Sequence, residues 1–547
     1  MTTEPVTSSA PERDDELCTW PDRPILFTRA NAIDQWPRPV TPLTQDLIAL
    51  PQERSLDRAF SRDLGTSPSL PEWSWNAVFY GWVTYSVEAA ATMADNIPGY
   101  SRRSVYSDYF GVGPDPDVEE SGGGAGPLEV AKIGLNFVRS MRSYPQRGRR
   151  DIERYRMLLD EDLARDWAAV PDAELRRRVA EHPGEAAEAK VPQVLSNVIA
   201  APLFQSFTAA VEKFGGEEAP GLITQSLSAL GGIHLSDASA AMRRVHAGEL
   251  SLADFNREYG FRGPNEFELS VAPWRDDPER LAKLIAAVAT QGSPDSTEAR
   301  DAARARLKTL AGVRWPYVRF LLKQVEQHMR WRENGKIAPA MATHSMRLIV
   351  REAARRFVAA GVLEDTEDVY FLRHTELLGL LDGDRPAGLR ERIARRKAAH
   401  THAENNPLPE MMDVRPGAVG EITADRWRSL GMLPPESDEG HAGRLVGVGG
   451  APGVATGRAR IVADPYEVDI EDGDILVAAG TDSAWTPLFY QAAGVVVDIG
   501  GPMSHAAIAA REVGIPCVLN VKTGTCGSLA EGQTITIDGA AGTVTLG

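Results

Sequence analysis

"GGPMSHAAIAAREVGIP", residues 500–516, sets a lone histidine, His505, between a glycine pair and a run of alanines. No second His, Asp or Glu stands at ligand spacing, so the stretch does not read as a metal site. Ser504, the hydroxyl beside it, is its immediate neighbour, which does not suit a Ser/His/Asp triad. The stretch follows the β-rich run "GVVVDIG" and opens a helix. Gly500 and Gly501 permit a tight turn and a close backbone approach. Ser504 falls at the N-cap position, which puts His505 in the first turn. There the backbone N–H groups lack intrahelical partners and the dipole favours negative charge, so a phosphate is accommodated. A neutral imidazole, with an ordinary pKa near ~6.5, is a competent nucleophile at neutral pH. Local chemistry leaves two readings open: a histidine that is itself phosphorylated, or a capping or core histidine at a helix end.

Around that stretch the texture is α/β. "DILVAAG", "GVVVDIG" and "PCVLNV" are short β-rich runs, and "QTITIDGAAGTVTLG" predicts a hairpin around Asp538-Gly539. Residues 444–547 therefore predict one compact unit. Its "GVGGAPG" (447–453) leads into a strand, whereas a dinucleotide fingerprint needs a helix there. Upstream, apolar residues recur at helical spacing. Val191, Val194, Leu195, Val198 and Ile199 follow i, i+3, i+4, i+7, i+8, with Pro192 near the helix start. Leu281, Leu284, Ile285 and Val288 follow Asp277 as cap and Pro278 at N1. Met346 to Phe357 repeats the pattern and stops at Gly361. The expected fold is multidomain, α plus α/β. A disordered tail (1–20) precedes a large, mostly helical region (21–431), a Pro/Gly/acid-rich linker (432–443) and the compact C-terminal unit. "PDPDVEESGGGAGP" (114–127) reads as a second flexible stretch.

Composition narrows the function. The 547 residues carry a formal net charge of -17, and nothing suggests the basic face of a nucleic-acid binder. Three cysteines, Cys18, Cys517 and Cys526, show no CxxC spacing and favour a reducing compartment. No signal peptide is legible, and no uncharged apolar run approaches the ~20 residues of a membrane span. The expected location is the cytoplasm, with no membrane partner.

With its flanks "GVGGAPGVATGRARIV", "GDILVAAGTDSAWTPLF" and "EGQTITIDGAAGTVTL", the opening stretch resembles the phosphohistidine signature of the mobile, or swivelling, domain of phosphoenolpyruvate-utilising enzymes. The resemblance implies that His505 is the phosphorylated residue and that Gly500, Gly501 and Ser504 shape its turn. It places Thr481 close by and makes Arg511 part of the signature. Arg511 lies about 240° around the helix from His505, and both a structural ion pair and a catalytic role stay open for it. Met503 stands where many members carry Thr.

The helical region has a resemblance of its own. "WPRPVTPLTQDL" (36–47), "YGFRGPNEFELSVAPWRDDPERL" (259–281), "WRENGK" (331–336) and "GVLEDTEDVYFLRHTEL" (361–377) are similar to the acceptor-binding region of rifampin phosphotransferase and phenylphosphate-synthase-like proteins. Members often have His where this chain has Phe261. Phosphoryl transfer mainly needs positioning and positive charge. Arg262, Arg332 and Lys336 are the candidates for that charge, and Glu266 for activating a hydroxyl; internal pairing or a solvated helix face is the alternative for each. Trp73, Trp75, Phe79, Tyr80 and Trp82 suit the lining of a flat aromatic acceptor, or ordinary helix packing. His400 to His402 sits in a Lys/Arg-rich helix and reads as a solvated face.

No P-loop or ATP-grasp segment is legible. The resemblance therefore implies a division of labour. ATP, with Mg²⁺ or Mn²⁺, is held by a separate ATP-grasp subunit, and its use phosphorylates His505 and leaves AMP and phosphate. His505 then serves the hydroxyl of a small phenolic compound such as phenol or cresol. The alternatives are a rifampin-type antibiotic phosphotransferase component and a non-catalytic phosphocarrier.

Overall fold

The computed structural model describes residues 18–30, 32–65, 75–94, 127–289, 296–429, 443–463, 470–482, 485–502, 504–521 and 529–547. Trp73, Met503, the linker up to residue 442 and most of the 114–127 stretch lie outside the described residues.

The aromatic run at 75–86 is not helical. "NAVF" and "WVTYS" form a hairpin, β2 (Asn76–Phe79) and β3 (Trp82–Ser86), in which Phe79 pairs with Trp82. That pairing leaves Tyr80 and Gly81 as a two-residue loop, both with positive φ (52° and 83°). A hairpin loop of this length favours left-handed residues because they match the strand twist. The hairpin joins β1 (Ile25–Thr28), β4 (Met411–Arg415) and β5 (Ala418–Gly420) in the order β2-β3-β1-β4-β5, every pair antiparallel. The region is mostly helical as expected, but the aromatic run read as suiting helix packing is a hairpin: β-branched and aromatic side chains over so few residues pack better on a pleated surface. The expected tail is also shortened. Thr19 N–H donates to Val78 O (2.9 Å), and Trp20 packs on Phe79 with ring centroids 5.6 Å apart, so residues 18–20 extend the sheet. Because β1 pairs with β4, this sheet ties the start of the helical region to its end.

Much of the rest of that region is helical, and its long helices include α1 (Pro127–Ala164), α2 (Asp172–Gly215), α3 (Trp315–Asn334) and α4 (Ile337–Ala359). Pro192, expected near a helix start, lies inside α2, as do Pro183 and Pro202. A proline in a helix interior forfeits a backbone hydrogen bond and costs about 3 kcal/mol. Val191, Val194, Leu195 and Ile199 around it are buried in a cluster with Trp331 of α3. Each contributes about 1.5–3 kcal/mol, so packing outweighs the proline. Asp277 accepts from Arg280 N–H (3.1 Å) at the start of the helix Pro278–Ala289, and α4 ends before Gly361 at φ 71°. Between α3 and α4 the chain passes Gly335, where a Cβ would lie 2.8–2.9 Å from Gln193 of α2. Only glycine lets this junction press so close to α2. The helical stretch Asp172–Ser226 is long and apolar enough to cross a membrane by length and composition, and 44% of its most apolar window is buried inside the fold.

The C-terminal unit is an eight-stranded sheet. Its strands are β6 (Arg444–Val446), β7 (Val448–Ala451), β8 (Val454–Ile461), β9 (Ile475–Ala478), β10 (Gly494–Val497), β11 (Cys517–Leu519), β12 (Thr534–Asp538) and β13 (Thr543–Leu546). The order is β6-β13-β12-β8-β9-β10-β11-β7. The central run β8-β9-β10-β11 is parallel, and the flanks are antiparallel, including the expected β12–β13 hairpin. The helix α5 (His505–Val513) links β10 to β11 and faces the helical region.

Candidate functional site

Before α5, Ser504 N–H donates to Gly501 O (2.8 Å), but the helix cap comes from elsewhere. Ser504 has the extended conformation of an N-cap (φ -69°, ψ 165°), yet its hydroxyl makes no capping bond. Instead, the carboxylate of Asp34, just beyond β1, accepts from His505 N–H at 3.0 Å. Arg332 of α3 pairs with the same carboxylate oxygen at 2.9 Å. The negative charge favoured at a helix start is thus supplied by the helical region.

The His505 ring is 2% exposed and lies in the seam between the two units. Its Nδ1 is 3.4 Å from Glu333 Oε2, and Glu333 in turn pairs with Lys336 Nζ at 3.1 and 3.2 Å. Burial raises the Glu333 carboxyl, but the charge of Lys336, the hydrogen bond and charge of His505 and the charge of Arg332 outweigh it. The group is held well below the usual carboxylate range. An ionised carboxylate only accepts, so Nδ1 donates to it; in the neutral imidazole this fixes the proton on Nδ1 and leaves the lone pair on Nε2. Nε2 is 3.3 Å from Thr486 Oγ1, which donates to it. Phe489 flanks the ring, with centroids 6.2 Å apart.

A second charged layer backs the first. Arg262 pairs with Glu266 at 3.1–3.2 Å, both buried. Burial raises the Glu266 carboxyl, Arg262 and Lys336 pull it down, and Asp482 and Glu333 add to the rise; the net direction is up. Arg262 Nε and Nη2 have no partner among the described residues. Lys190 of α2 is fully enclosed, donates to Gln35 Oε1 and lies 4.9 Å from the Phe267 ring centroid. Burial, with Lys336 adding and Glu266 opposing, holds its pKa well below the ordinary lysine value.

Beside this cluster a cavity of about 1030 Å³ opens along the seam. Ile33, Asn265, Asp482, Trp485 and Ile499 belong to its wall. Ile33, Asn265 and Trp485 immediately precede Asp34, Glu266 and Thr486, and Ile499 precedes the Gly500 turn. Much of the remaining wall is apolar, from Pro37, Pro39, Val271, Pro407, Leu408, Ile461 and Val462, with Arg38 and Arg280 among its charges. Of the aromatics expected to line an acceptor site, Trp82 does line this cavity, with the Arg29 guanidinium 3.9 Å over its ring. Phe79 is buried in the five-stranded sheet against Phe27, Tyr80 packs near Trp20, and Trp75 lies against Tyr85. These three pack in or beside the sheet and are not part of the cavity wall.

Arg332 and Lys336 thus reach His505 through Asp34 and Glu333, while Glu266, paired with Arg262, interacts with Lys336 and Glu333 one layer behind. Thr481 is buried with its hydroxyl unpartnered among the described residues, and the hydroxyl that meets His505 is that of Thr486. Arg511 is buried and forms no ion pair among the described residues; burial lowers its pKa to about 10, with Cys517 opposing. Asp34, Glu333, Thr486 and Lys190 were not singled out in the sequence. Glu333 stands inside "WRENGK", three residues before Lys336, and Thr486 inside "GTDSAWTPLF". Asp34 meets His505 across 471 positions and left no local signal.

Two stretches of the chain match known protein families. Residues 470–542 match the PEP-utilising enzyme mobile domain, and residues 233–333 match the rifampicin phosphotransferase fourth domain. Prodigiosin synthesizing transferase PigC of Serratia marcescens is 30% identical over 302 residues, 52% of this chain and 32% of that protein. Rifampicin phosphotransferase of Streptomyces sp is 30% identical over 302 residues, 53% of this chain and 33% of that protein. The same-named protein of Bacillus subtilis is 27% identical over 306 residues, 53% of this chain and 34% of that protein. The chain spans about a third of the length of these relatives.

Proposed function

From a chain that carries the mobile domain of PEP-utilising enzymes and the fourth domain of rifampicin phosphotransferase, we propose a phosphotransferase whose His505 takes up a phosphoryl group and delivers it to a hydroxyl of a drug-sized acceptor. The observation that carries the reading is the position of His505. Its Nε2 is free of carboxylates, its Nδ1 is held by Glu333, and buried cations stand around it beside a cavity. In the first step Nε2 attacks the β-phosphorus of ATP held by a separate ATP-grasp subunit: a P–N bond forms, the P–O bond to the α-phosphate breaks and AMP leaves. Water then cleaves the outer phosphoryl group as phosphate, which leaves one phosphoryl group on Nε2. In the second, the acceptor oxygen attacks that phosphorus, the P–N bond breaks, its electron pair returns to the imidazole, and the hydroxyl proton passes to Glu266. Overall, ATP, water and acceptor give AMP, phosphate and the phosphate ester. Arg332, Lys336 and Arg262 balance the charge on the transferring group. Mg²⁺ or Mn²⁺ neutralises the triphosphate on the ATP-binding subunit; among the described residues no three His, Cys, Asp or Glu side chains gather to hold a metal here. The reaction takes place in the cytoplasm.

Two observations favour a large acceptor over the phenol expected from sequence. Relatives that match this chain are named for rifampicin. The cavity of about 1030 Å³ is at the upper end of the ~300–1,000 Å³ of drug-sized pockets and far exceeds one phenol ring. The test supplies ATP and an ATP-grasp partner to the chain, offers rifamycin, larger polyhydroxylated aromatics, phenol, cresol and pyruvate, and reads the phosphoester by mass spectrometry. Large acceptors are expected to react and His505→Ala to give none. Turnover of phenol or cresol alone would return the assignment to the phenolic reading. A His505→Ala chain that still accepts phosphate would overturn the proposal as a whole.

A further inference from the structure

Helix α5 is gripped at both ends. At its start Asp34 holds His505 N–H. Near its end Glu512 accepts from two successive backbone N–H groups of the helical region, Leu230 (2.7 Å) and Gly231 (3.1 Å). The loop that offers them is built for it. Ala229, Gly231 and Gly232 all have positive φ (45°, 61° and 68°), and Ala229 is one of few non-glycine residues so placed among the described residues. Alternating right- and left-handed residues turn consecutive N–H groups into one concavity that takes an anion. The carbonyls on the outside of the loop are tied down. Arg330 donates to Leu230 O (2.6 Å) and Gly231 O (2.8 Å), Asn334 to Gly232 O (2.8 Å), and Arg300 to Ala229 O.

The two grips share parts. His505, Ile508 and Glu512 stand at i, i+3 and i+7, one stripe of α5. Ile508 is buried within the apolar cluster of the helical region. Across the seam, Arg330 and Asn334, which bond the loop, and Arg332 and Glu333 of the site occupy the last turn and a half of α3.

We propose that the Ala229–Gly232 loop is a latch for Glu512. It holds the C-terminal unit docked in the acceptor-facing position and makes Glu512 a positioning residue for transfer from His505. The inference rests on the function proposed above, in which His505 is loaded elsewhere and must leave this seam. A carboxylate on two N–H groups suits that cycle: it is directional when docked and readily hydrated when released. Charge-assisted bonds of this kind shift the docking equilibrium by roughly ten- to a hundredfold.

The test uses the full chain and needs no acceptor. Amide hydrogen exchange follows Leu230 and Gly231. In parallel, phosphoramidate labels His505: Nε2 attacks the phosphorus, the P–N bond of the reagent breaks and ammonia leaves. Glu512→Ala is expected to speed exchange at both amides, and labelling of the otherwise enclosed His505, by about tenfold or more. Glu512→Gln, which keeps one accepting oxygen, should fall between. Arg330→Met should act in the same direction from the other side of the seam. Glu531→Ala, which removes a pair internal to the C-terminal unit, should change neither. Unchanged exchange at Leu230 and Gly231 would overturn the latch. So would slower labelling in Glu512→Ala and Glu512→Gln, the sign of a distorted α5 rather than a released one. A wild-type chain that takes no phosphate would defeat the function reading, while the exchange result would still decide the latch.

Discussion

The seam between the two units has a charged end and an apolar end. Around His505, the groups Asp34, Arg332, Glu333 and Lys336 are all within 9% exposure and each is bonded to another. In the cavity, prolines and aliphatic side chains form much of the wall. At the charged end every partner is desolvated, so removing one leaves another without compensation. At the apolar end contacts are non-directional and add up by area. The first arrangement is suited to setting a rate, the second to admitting a shape.

The largest expected effect tests the charged end. Glu333→Gln leaves Lys336 buried without its carboxylate and lets the imidazole lose its fixed tautomer. We expect a loss of about 3–5 kcal/mol in stability and a fall of about 10²–10⁴ in the transfer rate, read by thermal denaturation and by single-turnover transfer from phosphorylated protein. Because Glu333 is held below the usual range, its contribution to stability is present above ordinary carboxyl titration and lost only as pH falls through the depressed value.

Glu266 shows the opposite sign. A carboxyl raised by folding contributes stability below its ordinary range and loses it as pH rises through the folded value. Its use as a base runs the other way, since only the ionised form takes a proton. The transfer rate should therefore climb with pH along a limb set by Glu266. Glu266→Gln should flatten that limb and lower the plateau by about 10²-fold or more. A limb that persists in the variant assigns the base elsewhere.

A smaller effect separates the two ends. Val271→Trp puts bulk into the cavity without touching the charged cluster. We expect the KM of a large acceptor to rise about tenfold, equivalent to ~1.4 kcal/mol, while labelling of His505 by phosphoramidate is unchanged. A parallel loss of labelling would show that the two ends are not separable. The smallest effect is at the cap. Ser504→Ala removes a hydroxyl that makes no capping bond, so denaturation should shift by no more than about 0.5 kcal/mol, against the ~1 kcal/mol typical of a working cap.

Much of this was legible in sequence where the cause was local. The α5 start, the β12–β13 hairpin and the Asp277 cap depend on residues within a few positions of one another. Arg262, Glu266, Arg332 and Lys336 were reached through resemblance, and the fold gathers them from two distant segments. Asp34 was not legible because its partner is 471 positions away. The β2–β3 hairpin was missed because its aromatic residues fit both a packed helix and a pleated sheet, and the deciding signal, the Tyr80-Gly81 turn, is two residues long. Pro192 misled because a buried helix tolerates what an isolated one does not.

The 2% exposure of His505 has a bearing on leakage. A phosphorus–nitrogen bond is lost to water wherever water can reach it. Under the function proposed above, a loaded His505 docked in this seam and waiting for its acceptor is sheltered, because the imidazole is enclosed. Futile hydrolysis is then confined to the intervals in which the unit stands away from the seam. The fraction of donor spent without product becomes a clock for how long each cycle leaves the histidine in the open.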